Sequence, residues 1–106
     1  MRKIPLQAIP SQKVRVVLDG QNCTLSFYYR FGNLYADVLC NDGAVQIGAI
    51  CCNRMNIIQV ANTIFSGGLY FVDLLGDTHP QYSLLGKRYI LLYVPESEEL
   101  PRGLMS

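Results

Sequence analysis

Few side chains in this sequence are of a type that does chemistry. His79 is the only histidine. It precedes Pro80 in a polar stretch, and with Cys51 or Cys52 as nucleophile it could form a thiol–imidazole dyad. No family-specific sequence surrounds either cysteine, and a single loop histidine is most simply a solvated side chain. Carboxylate pairs for acid–base work would be Asp73 with Asp77, or Asp37 with Asp42. Their spacings of four and five residues run across strand–turn boundaries and do not fix a separation in space. Gly67-Gly68 lacks the lysine and the helix of a phosphate-binding loop. Cys51-Cys52 is not ligand spacing for zinc, and Cys23 and Cys40 sit among alternating apolar residues as small hydrophobes. No secretory signal is read at the start, because Pro5, Gln7 and Pro10 interrupt any apolar core after Met1-Arg2-Lys3. The four thiols are therefore expected to be reduced and structural. No catalytic, cofactor-binding or metal-binding residue is assigned, and no cofactor is expected.

The elements that would position these side chains must come from 106 residues, enough for one domain. Half the chain is hydrophobic, and only 16% is charged against about 25% in an average soluble chain. That balance excludes intrinsic disorder. The longest apolar run, Tyr89 to Val94, is six residues, far short of the ~20 of a membrane helix. Nine basic and eight acidic residues leave a net charge of +1, which advertises neither nucleic acid nor an anionic membrane. So little charge is expected of a surface covered by partners.

Period-two alternation dominates the chain. Val14, Val16 and Leu18 alternate with Lys13, Arg15 and Asp19, and Gly20-Gln21-Asn22 is expected to turn. Cys23, Leu25, Phe27 and Tyr29 define a second strand to Arg30, and Phe31-Gly32-Asn33 the next turn. Leu34 to Cys40 is a third strand. Asn41-Asp42-Gly43 is the strongest hairpin signal, Asp42-Gly43 suiting a type I′ turn. Ala44 to Cys51 follows, with Val45, Ile47 and Ala49 facing one way and Gly48 marking a bulge or close approach. Cys52 to Phe65 reads as a loop and then a strand, although Asn56 to Ile64 also suits a short helix. Leu69 to Leu74 is a strand, and Leu75 to Gly86 a turn-rich loop. Lys87 to Pro95 is a final strand, apolar on both faces and therefore central. Six or seven short strands indicate an all-β antiparallel sandwich or small barrel. Its expected limits are 11–95, between an extended arm over 1–10 and a tail over 96–106.

A small β domain could bind single-stranded nucleic acid or glycan, and Tyr28, Tyr29, Arg30, Phe31 and Tyr35 cluster around one hairpin. The first 30 residues hold five cations against Asp19 alone. That surplus is modest, so nucleic acid is disfavoured and this binding module stands as the alternative function. The seven tyrosines, with no tryptophan, favour protein contacts. Tyr28, Tyr35, Tyr70, Tyr82 and Tyr93 are expected at outward or edge positions. Ile4 and Leu6 lie on an arm able to add a strand to a neighbouring sheet.

These motifs together resemble the small baseplate plug proteins of contractile-tailed bacteriophages. Ile4-Pro5-Leu6, Gln12 and the V-x-V-x-L-x-G-Q run from Val14 to Gln21 are similar to the start of that family. Leu25 to Arg30, L-x-F-Y-Y-R, resembles its second strand. Gly48-Ala49-Ile50 and Asn56-Ile57-Ile58 correspond to a later stretch, with isoleucines in place of leucines. The most specific part is G-x-L-Y-F-V-D ending at Asp73, then Gly76-Asp77, Pro80, Tyr82, Leu85-Gly86 and R-Y-I-L-L-Y from Arg88 to Tyr93. The resemblance spans residues 4 to 95; Cys51-Cys52 and Leu100 to Ser106 depart from it. It implies a non-enzymatic virion protein of the tail baseplate, made in the host cytoplasm. Its partners would be other baseplate, hub or tail-tube proteins, with further copies of itself possible and no membrane. Asp77 would satisfy loop amides, Pro80 stiffen the turn, and Gly86 supply a permissive backbone position; Gly20, Asp42 and Gly43 are the other structural turn residues.

Overall fold

Among the described residues the alternation resolves into seven strands: β1 Arg2–Ile4, β2 Ser11–Leu18, β3 Gln21–Arg30, β4 Asn33–Cys40, β5 Gly43–Ile50, β6 Gly68–Asp73 and β7 Tyr89–Val94. The computed structural model describes residues 2–41, 43–59 and 65–95. Asp42, the 60–64 part of the expected strand before Phe65, and the 96–106 tail lie outside the described residues. Two antiparallel sheets form, ordered β1-β7-β6 and β2-β3-β4-β5. They stack face to face as a sandwich. Phe27 of β3 meets Phe71 of β6 edge-on, ring centroids 5.6 Å apart. Leu25, Leu34, Ala36, Val38, Leu69 and Leu91 fill the shared core. β7 does lie centrally, between β1 and β6. Its second face, with Val72 of β6, buries Leu92 and Val94 in a separate apolar cluster, as an unbroken apolar strand requires.

Two-residue turns set the registers of the larger sheet. Leu18 pairs with Gln21, so Asp19 (φ 50°) and Gly20 (φ 77°) make the first turn. Gln21 and Asn22, expected in that turn, instead open β3. Arg30 pairs with Asn33 around Phe31 (φ 52°) and Gly32 (φ 81°). Positive φ at both central positions gives the twist that matches the flanking strands. In the third hairpin Asn41 takes φ 51° and Gly43, expected in the turn, is the first residue of β5, paired with Cys40.

β5 departs from simple alternation. The β4–β5 register shifts twice, between Ala36 and Val38, where Asp37 faces both Ile47 and Gly48, and between Val38 and Leu39. Gly48 adopts φ 66°, and its N–H donates to Asp37 Oδ1 at 2.7 Å. The two shifts together keep Val45 and Ala49 buried while Ile47, expected beside them, is turned out and 60% exposed.

The first residues do not extend as an arm away from the domain. Arg2, Lys3 and Ile4 pair with Tyr93, Leu92 and Leu91 of β7. On the other side of that sheet, residues 53–57 close the edge of β6. Arg54 N–H donates to the Phe71 carbonyl and Ile57 N–H to that of Leu69. Asn53 and Asn56 side chains accept the amides of Asp73 and Leu69. Backbone groups that would otherwise invite another strand are thereby used internally.

Gly86 has φ 82°, and a Cβ there would lie 2.7 Å from the Leu6 carbonyl oxygen. Gly32 has φ 81° with nothing within 4 Å of its added Cβ. Gly32→Ala is expected to cost about 1–2 kcal/mol of left-handed strain alone. Gly86→Val adds a backbone clash and is expected to cost on the order of 3 kcal/mol or more. Parallel denaturant titrations check the ranking; equal losses at the two glycines would remove the clash as its cause.

Candidate functional site

Asp73, at the end of β6, is the one buried charged or polar residue of the described core, at 2% exposure. Its carboxylate accepts five hydrogen bonds: from Leu75 N–H, Thr78 N–H and Oγ1, and Arg88 Nε and Nη2. Arg88, immediately before β7, makes the shortest at 2.7 Å. That guanidinium, reinforced by the loop amides, holds the Asp73 carboxyl well below the usual carboxylate range against the opposing effect of burial. Thr78 Oγ1 also meets the Tyr89 hydroxyl at 2.7 Å. The loop from 74 to 88 is therefore pinned at both ends by one charge pair. Asp77, expected to satisfy the loop amides, is exposed and accepts from Asn53 Nδ2 at 2.8 Å. The amide work belongs to Asp73, four residues earlier. Pro80 is buried. His79 Nδ1 accepts the Asn53 amide at 3.2 Å, which engages that nitrogen in loop structure.

The residues expected to contact partners do not converge on one surface. Tyr28 and Tyr35 do come together, stacked with centroids 6.0 Å apart on the outer face of the four-stranded sheet. Tyr70 lies on the other side of the molecule, against Val72, Leu92 and Val94. Tyr82, in the 3-10 turn Tyr82–Leu84, meets Tyr29 edge-on at 4.9 Å. Tyr93 is not outward: it is 2% exposed, and its one hydroxyl proton has two acceptors in reach, Asp19 Oδ2 at 2.9 Å and the Ser66 carbonyl at 3.0 Å. Burial, with the Asp19 hydrogen bond, pushes its pKa up to about 12. Ile4 is also in the core, and Leu6 packs against it. A side chain facing inward on β7 has no route to a partner, whatever its residue type.

The outer face of β2–β5 is the surface the sandwich leaves uncovered. The side chains opposite the core residues of β2, β3 and β4 point there. Lys13, Arg15, Val17, Thr24, Ser26 and Leu39 line a shallow concavity of about 850 Å³. Val17 is 53% exposed, and Ile47 and Ile50 stand out on β5. At the far end Arg30 lies over the Tyr28 ring, 5.7 Å from its centroid. The one acid on this face among the described residues, Asp37, accepts from both the Tyr28 hydroxyl and Gly48 N–H. Burial, then that hydrogen bond, raises the Tyr28 pKa. Lys13 and Arg15, two of the five cations of the first 30 residues and the polar side of β2 by alternation, share this face with no candidate contact role assigned to them in the sequence.

The cysteines separate by burial. Cys23 and Cys40 are opposite one another on β3 and β4, free, with sulfurs 2.8 Å apart. Burial raises both thiols, and each also senses the other. Cys51 is buried and likewise raised by burial; Cys52 is half-buried. Among the described residues, no three His, Cys, Asp or Glu side chains are grouped to hold a metal.

Residues 1–96 match the family model described as cyanophage baseplate Pam3 plug gp18. No curated protein matches the chain.

Two outcomes follow from this geometry. Asp73 supplies stability above its unfolded pKa of about 3.9, lost as pH falls toward its depressed folded value. Wild-type stability should therefore decline in acid below about pH 5, whereas Asp73→Asn should be less stable at neutral pH with a flatter acid limb. Urea midpoints from pH 2 to 8 check this, the range spanning the carboxylate titration; parallel acid limbs would contradict it. In the native protein a thiol reagent should modify Cys52 first, with Cys23, Cys40 and Cys51 reacting only on unfolding. Peptide mapping of timed alkylation reads the order.

Proposed function

Because the chain belongs to the family of the cyanophage baseplate Pam3 plug gp18, we propose that it is a non-catalytic subunit of the central tail baseplate, joined by protein contacts to hub or tail-tube neighbours. The family match across residues 1–96 carries the reading. The molecule supports it physically. A chain with 16% charged residues commits one ion pair, with its carboxylate buried, to loop architecture and leaves a sheet face with apolar, tyrosine and cationic side chains uncovered. Such a face suits a protein interface better than free solution. Tyr28 and Tyr35 are the tyrosines best placed for contact, since they lie on that face. The carboxylate of Asp37 on the Tyr28 hydroxyl would repel a phosphate backbone, which weighs against base stacking at this pair.

The test is composition and assembly of the tail. Purified tails of the encoding virus should contain the chain by mass spectrometry, and deletion of its gene should yield particles without infectivity and with incomplete baseplates in electron micrographs. Normal baseplates and undiminished infectivity after deletion would overturn the assignment.

A further inference from the structure

The sheet edges of this sandwich are unequal. β6 is closed by residues 53–57, β1 is three residues long, and β5 is interrupted by the Gly48 bulge. β2 is different. It pairs with β3 without a register shift from Ser11–Tyr28 to Leu18–Gln21, so its opposite edge is regular over eight residues.

The direction of that edge follows from two contacts. Leu18 closes the hairpin to β3 with Gln21, so even-numbered residues of β2 bond to β3. Arg2 Nη1 reaches the Val17 carbonyl at 2.6 Å from the other side, so odd-numbered residues turn their N–H and C=O outward. Lys13 and Arg15 thus present backbone groups to the edge and side chains to the outer face. Among the described residues both side chains are without an ion-pair partner, and no described carboxylate lines the concavity beside them.

We propose that the β2 edge accepts an extended acidic segment of a neighbouring protein as an added strand, with carboxylates two residues apart meeting Lys13 and Arg15. This rests on the reading of the chain as an assembly subunit and names the surface it would use. Charge selects the occupant. A second copy adding antiparallel through the same edge would set Lys13 and Arg15 against their own counterparts, and like charges directly opposite destabilise strand pairs. Edge cations of this kind block self-association, and the same charges favour a partner with alternating acids. Side chains on one face of a strand recur every ~7 Å, so i, i+2 carboxylates match the spacing of the two cations. Nucleic acid fits less well, because the tyrosines on this face are stacked on each other beside the Asp37 carboxylate.

The test uses the full chain, labelled with ¹⁵N, and three probes: a decapeptide alternating glutamate and threonine, its lysine–threonine counterpart, and a ten-nucleotide oligothymidylate. The acidic peptide should shift the Lys13 and Arg15 amides and slow their hydrogen exchange. K13E/R15E should weaken binding at least tenfold, with K13Q/R15Q intermediate; both substitute exposed side chains, and unchanged circular dichroism confirms folding. Equal binding of both peptides, preference for the oligothymidylate, self-association through β2, or shifts confined to other strands would overturn the proposal. In tails, wild-type incorporation with exclusion of K13E/R15E supports it. Equal incorporation of both overturns this docking site and leaves the baseplate assignment standing, whereas absence of the wild-type chain from tails overturns that assignment.

Discussion

A carboxylate removed from water is tolerable only when charge and hydrogen bonds replace its hydration, and Asp73 meets that requirement with five donors. Those donors come from Leu75 and Thr78 in the loop and from Arg88, the residue before β7. Satisfying the charge therefore fixes the loop that carries the chain from one core strand to the next. The consequences extend outward. Asn53 couples the closed edge of β6 to Asp77 and His79, and Tyr82 in the loop's 3-10 turn reaches Tyr29 of the larger sheet. Gly86, held against the Leu6 carbonyl, ties the same loop to the chain leading into β2. Hydrophobic burial supplies most of the driving force for a domain of this kind, but apolar contacts alone do not specify how a fifteen-residue connection is laid across a sandwich end. The ion pair supplies that specification.

The second constraint is the treatment of sheet edges. Every strand edge must have its amides and carbonyls answered, by water or by protein. Here asparagine side chains substitute for a missing strand at β6, because an amide side chain can accept a neighbouring backbone N–H where the chain itself runs out of register. Glycine at a left-handed position performs the equivalent task at β5, allowing two residues to oppose Asp37 and turning Ile47 outward. These devices leave β2 as the regular edge. With β6 covered, β5 bulged and β1 only three residues long, the sandwich has an asymmetric set of edges.

Strands were legible in the sequence because half-buried β structure writes its own period, and β7 was legible as central because only a strand covered on both faces can be apolar throughout. What failed had specific causes. Asp19 was read as strand and Gln21-Asn22 as turn because aspartate at positive φ costs little and leaves no mark beyond the glycine after it. Ile47 is expected inside because paired register shifts turn a side chain outward without changing composition. Tyr93 was expected outside on residue type, yet its hydroxyl finds Asp19 and Ser66 across the sandwich, a pairing separated by most of the chain. The loop-amide role expected of Asp77 falls to Asp73 for a similar reason: which of two nearby acids is buried depends on where Arg88 arrives. The cysteines were the simpler case, since free thiols on core-facing positions behave as small apolar groups.

The two sheets divide their work unevenly, and this bears on function. Both faces of β6 and β7 are buried, with Leu69, Phe71 and Leu91 toward the sandwich core and Val72, Leu92 and Val94 on the reverse. The smaller sheet therefore has little side-chain surface left to offer. The larger sheet buries one face only and keeps on the other a cationic end at Lys13 and Arg15 and an aromatic end at Tyr28 and Tyr35. Because both ends lie on one rigid sheet, their separation is set by strand geometry and not by loop motion. A partner engaging one end must be placed in a fixed orientation relative to the other. For a subunit built into an assembly that property matters more than affinity at either end, since contacts made at fixed relative positions are what give an assembly a defined shape.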